Sequence, residues 1–166
     1  MSQSDLTRFR RMCGQFRWLA VFMVVSVGLL LASVHLVFPA LNWAINGRAM
    51  IPRDTMASLI WITPAAFYLF AVWSIGTALG QIAKGRLIQP TLASALRHVG
   101  LALGLGGVFT VFLMTNLLRL TGAIQGGFLN VDIGGMTLGM IGGALFLLGR
   151  VIDQAGAIQS ELDEII

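Results

Sequence analysis

The sequence predicts an all-α integral membrane protein with four transmembrane helices, and three observations carry that prediction. Apolar residues make up 57% of the 166-residue chain and charged residues only 11%, whereas soluble domains carry about 25% charged residues. The mean hydropathy is +0.84. The charges cluster between four apolar stretches, each near the roughly 20 residues that cross a hydrocarbon core about 30 Å thick. Four spans and their connections account for the whole length, so one transmembrane domain over residues 1–166 is expected.

Residues 1–17 set Arg8, Arg10, Arg11 and Arg17 against one acid, Asp5, and read as a short cytoplasmic helix or tail. Residues 18–38 hold no acid, lysine or arginine. They run longer than a signal-peptide core and end without a small-x-small cleavage pattern, so they should remain as the first helix, with Trp18 at the interface. Pro39, Trp43, the Asn46-Gly47 pair and Pro52 mark an outer loop. Asp54 or Thr55 can accept the free amides that open the second helix, residues 56–83, and Pro64 predicts a bend within it.

Residues 81–100 are the longest polar interruption and read as an inner loop, in which Gly85 breaks the second helix and Pro90 begins a short new one. The third helix is expected over residues 99–118, a second outer connection over 121–132 and the fourth helix over 133–149, with a tail from 150 to 166. Of the eleven Lys and Arg residues, eight fall in the N-terminal segment, the 81–100 loop and Arg150, against Arg48, Arg53 and Arg119 on the other side. Positive charge stays inside, so both termini and the 81–100 loop should be cytoplasmic. Cations placed at helix ends set topology rather than form a nucleic-acid surface, and no direct nucleic-acid binding is expected.

Gly135, Gly139 and Gly143 recur at four-residue spacing in the fourth helix, as do Gly100 and Gly104 in the third. In lipid such small faces let backbones approach, which assigns these glycines to helix packing, chiefly third on fourth, with a homodimer seam as the alternative. The run Gly104-Leu105-Gly106-Gly107 lacks both a preceding strand and a following Lys-Ser/Thr, so it is not a phosphate loop. His35 is the one histidine, acid, lysine or arginine within a span. It lies roughly 25 Å along the helix from Trp18, at the opposite end from His98, so the two cannot share a haem iron. No cofactor is expected, and His35 reads as a neutral interfacial residue.

No acid, lysine or arginine falls within a predicted span, which weighs against ion-coupled transport. Asn116 and Thr110 or Thr115 suit hydrogen bonds between helices or the lining of a polar path, packing being the favoured role. Cys13, the only cysteine, can form neither an internal disulfide nor a thiolate cluster and reads as a free thiol. Nucleophile, base and acid converge on no common face, so enzyme chemistry is not favoured and no catalytic or metal site is assigned.

Beyond Arg150, Val151, Ala155, Ile158, Leu162 and Ile165 recur at spacings of four and three, with Asp153, Gln159, Glu161, Asp163 and Glu164 off that stripe. This predicts a cytoplasmic amphipathic C-terminal helix whose apolar side must be covered. Its own 90–98 helix, a second copy or a cytoplasmic partner are the candidates, and an acidic tail is poorly suited to anionic lipid. Lys84, Arg86 and Arg97, with Ile158, Leu162 and Ile165, form the expected interaction set. The text Leu79-Gly80-Gln81-Ile82 is echoed as Leu148-Gly149-Arg150-Val151. Two parallel hairpin repeats and chance similarity both account for it.

The four-helix pattern, the Lys84-Gly85-Arg86 step leading towards Arg97, and the closing Ala157-Ile158-Gln159-Ser160-Glu161-Leu162-Asp163 segment resemble the bacterial membrane proteins of domain-of-unknown-function family 2975. The resemblance implies a bacterial inner-membrane location and, because members are often encoded beside small helix-turn-helix regulators, a regulator as partner. It supplies no catalytic residues. The expected function is a non-enzymatic membrane module whose loop and tail bind a protein; the alternative is a small transporter or permeation module working as a homodimer.

Overall fold

Long uncharged runs with no water to satisfy their backbone must form helices in lipid. The computed structural model describes residues 3–37, 40–41, 44–45, 52–85, 88–122 and 131–163, and every regular element among them is helical. In order these are α1 (Gln3–Ala32), α2 (Pro52–Ala83), α3 (Ile88–Val108), α4 (Met114–Leu120) and α5 (Ile133–Asp163). A π-helical turn, Ser33–Val37, extends α1, and another, Phe109–Leu113, joins α3 to α4 without a break. Four stretches are long and apolar enough to cross a membrane: Arg11–Val37, Met56–Ala83, Gln89–Leu120 and Ile133–Gln159.

Several boundaries differ from the sequence expectation. The polar 81–100 stretch is mostly helix. Gly85 ends α2 at a φ of 86°, a conformation glycine adopts without steric cost, and its amide donates to the Ile82 carbonyl at 3.0 Å. Only four residues then separate α2 from α3. Pro90 lies in the first turn of α3, where a missing amide costs nothing, so the expected 90–98 helix is the start of the third span itself. Likewise α2 opens at Pro52, which places Asp54 and Thr55 within its first turn; their side chains lie outside the described residues. It continues through the buried Pro64 to Ala83, and the proline leaves the Ile60 carbonyl without its usual helical donor.

The start of α5 is fixed by Asp132, whose two carboxylate oxygens accept the amides of Gly134 and Gly135, each at 3.1 Å. An acid there satisfies orphan donors and complements the helix dipole. From that cap α5 runs 31 residues, about 46 Å at 1.5 Å per residue. A 30 Å hydrocarbon layer takes up about twenty of them, so α5 is longer than one crossing needs.

Among the described residues the helices pack as an open row in chain order: α1 on α2, α2 on α3, and α3 most extensively on α5. A soluble bundle would close this row to hide its outer faces. Lipid tails are as apolar as leucine and impose no such requirement, so packing is decided by fit. The central seam places Ala71 of α2 against Val99 and Ala102 of α3, with Leu103 and Leu145 alongside. Higher up, Gly106 admits the rings of α2: a methyl group there would stand 2.9 Å from Tyr68 Cε1, and Phe67 meets Phe109 with ring centroids 6.2 Å apart.

Candidate functional site at the charged end of the helices

The four-helix topology brings the start of α1, the end of α2, the start of α3 and the far end of α5 to one side, where Arg11, Arg17, Lys84, Arg97, Arg150 and Asp153 gather. What holds this end together is glycine contact. A methyl group on Gly149 of α5 would stand 2.8 Å from Arg97 Cγ and 2.9 Å from the Ala93 carbonyl oxygen. The same pattern continues along the seam. A methyl group on Gly100 would stand 2.6 Å from the Gly142 carbonyl oxygen, one on Gly142 would meet the Gly104 amide, and one on Gly107 would stand 2.7 Å from the Gly139 Cα. A methyl group on Gly135 would stand 3.3 Å from Thr110 Cβ. Gly104 contributes its backbone to this seam, while Gly143 is exposed with no atom within 4 Å of its open side.

The tail continues along α3 through the same face. Arg97 donates to Asp153 Oδ2 at 2.7 Å, and the open side of Gly156 lies 3.3 Å from Gln89 Nε2. Positions 149, 153 and 156 lie on one side of α5, about half a turn from 151, 155 and 158. The predicted stripe therefore points away from α3: Val151 and Ile158 are each 59% exposed and Ala155 is exposed. A cleft of about 580 Å³ opens beside the ion pair, lined by Arg97, Phe146, Arg150, Asp153, Gln154 and Ala157. Lys84 is exposed at the end of α2; Arg86, the Leu162 side chain and Ile165 lie outside the described residues.

Sequence spacing missed a second glycine seam, between α1 and α2. The open side of Gly76 is 2.9 Å from Ala20 Cβ, and that of Gly80 is 2.6 Å from Arg17 Cδ, so an arginine stem lies in the notch that Gly80 leaves. The signal was present as Gly76-x-x-x-Gly80. Cys13, on the same face of α1 as Arg17 and Ala20, is free and buried.

Between α2 and α3 a smaller cleft of about 260 Å³ is lined by Ser74, Thr77, Gln81, Thr91, Ser94 and His98, beside Trp73. Its Ser94 and His98 do not form a nucleophile and base. The imidazole Nδ1 lies 2.7 Å from the Ser94 carbonyl, which can only accept, and 3.4 Å from the hydroxyl. With Nδ1 committed as a donor, it cannot take the hydroxyl proton. Thr77 likewise turns back on its own helix, donating to the Ser74 carbonyl at 2.9 Å. Thr110 donates to the Gly106 carbonyl at 2.8 Å and Asn116 to the Phe112 carbonyl at 2.7 Å. These bonds stay within one helix. His35 sits half-buried in the first π-helical turn. Among the described residues no three His, Cys, Asp or Glu side chains cluster as a metal site would require.

A chain of four membrane-length helices packed through glycine, with most of its cations at one end, is a multi-pass α-helical membrane protein. Residues 32–166 match the family described as "Protein of unknown function (DUF2975)", and the chain belongs to that family. No curated protein and no solved structure matches it.

Proposed function

We propose that this chain is a non-enzymatic inner-membrane protein that presents its charged end to the cytoplasm and binds a protein partner there, a transcriptional regulator being the class that the family resemblance suggests. One observation carries the reading. The tail spends its Gly149, Asp153 and Gly156 face on α3 and leaves Val151, Ala155 and Ile158 uncovered, the last two on the part of α5 that we read as projecting beyond the hydrocarbon layer. An apolar stripe between acids, outside lipid, suits a helix-in-groove or helix-on-helix partner. The positive-charge bias towards this end supports that orientation.

The test is recovery of the cytoplasmic partner with the tagged full chain. Changing Ile158 and Leu162 together to Asp should bring recovery to background while the chain still assembles in the membrane. Unchanged recovery would end the reading. The homodimeric transporter alternative gains no comparable support, because the glycines it would use, Gly143 excepted, already face the neighbouring helix within one chain.

We also infer that the α1–α2 and α3–α5 hairpins are copies of one unit. Gly80 and Gly149, matched in the sequence echo, each receive an arginine stem from the preceding span, Arg17 and Arg97 respectively. Cys13 and Ala93, four residues before those arginines, are both buried.

A further inference from the structure

We propose that the groove between α1 and the end of α2 binds the phosphate headgroup of an anionic phospholipid from the leaflet at the charged end. The groove, about 650 Å³, is lined by Arg11, Gln15, Arg17, Trp18, Val21 and Lys84, with Gly80 at its floor. Three of these side chains are cations and none is an acid. Among the described residues no carboxylate pairs with Arg11, Arg17 or Lys84.

The neighbouring seam shows what is missing. There Arg97 rests on Gly149, and four residues after that glycine Asp153 meets the guanidinium at 2.7 Å. Here Arg17 rests on Gly80, and four residues after that glycine stands Lys84. The same arrangement that brings an anion to Arg97 brings a second cation towards Arg17. Like charges held in one groove repel, and an anion between them removes that cost.

Depth selects the kind of anion. The groove lies where the polar start of α1 gives way to its apolar span at Trp18, an interfacial residue type, and Val21 continues its wall towards the hydrocarbon. A phosphate at that level with acyl chains below it fits both parts. Arginine's planar fork matches phosphate oxygens in pairs, with the Arg17 stem already positioned by Gly80.

Trp18 itself can report occupancy. In the full chain with Trp43, Trp61 and Trp73 changed to Phe, quenching of Trp18 is titrated with brominated phosphatidylglycerol and brominated phosphatidylcholine in mixed micelles. The anionic lipid should quench at a severalfold lower mole fraction. Arg17→Gln should cut that preference about fivefold, the size expected for one cation at an anionic surface. Gly80→Leu should remove it too, without changing charge. Arg8→Gln, at an exposed residue outside the groove, should leave it intact.

Equal quenching by the two lipids would overturn the proposal, as would equal losses from Arg8→Gln and Arg17→Gln, which would reduce the effect to net charge. Displacement of the lipid by soluble glycerol phosphate would reassign the groove to a free phosphate ester and overturn the lipid claim. Should Gly80→Leu fail to assemble, Arg17→Gln and Arg8→Gln decide the matter.

Discussion

The two hairpin seams use the same device with opposite thoroughness. Along α3–α5, glycine meets backbone at Gly100, Gly107 and Gly142, Gly149 meets both the stem of Arg97 and the Ala93 carbonyl, and an ion pair extends the contact into the tail. Along α1–α2, glycine meets side chains: Gly76 the methyl of Ala20, Gly80 the stem of Arg17. No residue of the most apolar 18-residue window of the first span is buried, against 44% in the third span. The family match begins at residue 32 and so leaves out most of α1. Backbone-to-backbone contact fixes two axes rigidly, whereas contact with a flexible stem tolerates adjustment. The α3–α5 pair is therefore the rigid part of the fold, and α1 is a helix fastened to its edge.

The sharpest way to break this comparison is to place the same bulk in each seam. Gly142→Leu would drive carbon into the Gly104 amide and the Gly100 carbonyl, atoms that cannot rotate aside. Overpacking of that kind costs about 1–3 kcal/mol, more where backbone must move. Gly142→Leu should lose that much or more in detergent unfolding, the largest effect of any substitution named here. Gly76→Leu meets a side chain instead and should loosen α1 while α3–α5 stays folded. Cys13 reports that difference: its maleimide labelling should rise in Gly76→Leu at unchanged helicity, and equal labelling before and after would show that α1 is held as firmly as the rest.

Much of the fold was legible because membrane helices announce themselves by length and the absence of charge. The four spans follow from composition alone, and only their ends moved. Helix continuity through residues 88–98 was hidden because polar side chains there suggest a loop, whereas the backbone needs only Gly85 to turn and Pro90 at a tolerant position. The glycine seam was legible in kind and displaced in register. A strict spacing of four selects Gly135, Gly139 and Gly143, but four residues turn a helix by about 400°, so the row drifts around the axis. The stripe that faces α3 runs 135, 139, 142, 146 and 149 and reaches Gly142 instead. Which face of the tail would turn inward was not legible, because the strongest periodic signal, the apolar stripe, is the side left exposed.

A smaller effect sharpens the electrostatic half of the comparison. Arg97 and Asp153 are 51% and 38% exposed, so their ion pair should contribute about 0–1 kcal/mol. Asp153→Asn should therefore cost at most that amount, with the loss diminishing at high salt. The converse experiment supplies the other seam with its missing acid: Lys84→Asp should secure α1 by a similar amount, visible as slower Cys13 labelling. Faster labelling would mean that the two seams are not equivalent in geometry.

The smallest expected effect falls on Gly143, and it separates two meanings of a glycine in a membrane helix. Within the chain nothing approaches its open side, so Gly143→Leu should leave unfolding unchanged where Gly142→Leu, one residue away, does not. Helix propensity would favour the replacement in water, by up to about 1 kcal/mol. That gain shrinks in lipid, where the backbone is helical in any case. A glycine conserving space for a second copy would behave differently: Leu there would leave the single chain folded and split the assembly. Light scattering of the purified protein before and after Gly143→Leu should give the same mass. A fall in mass would move Gly143 from open surface to a homodimer seam and make the exposed side of α5 an interface through the membrane as well as beyond it.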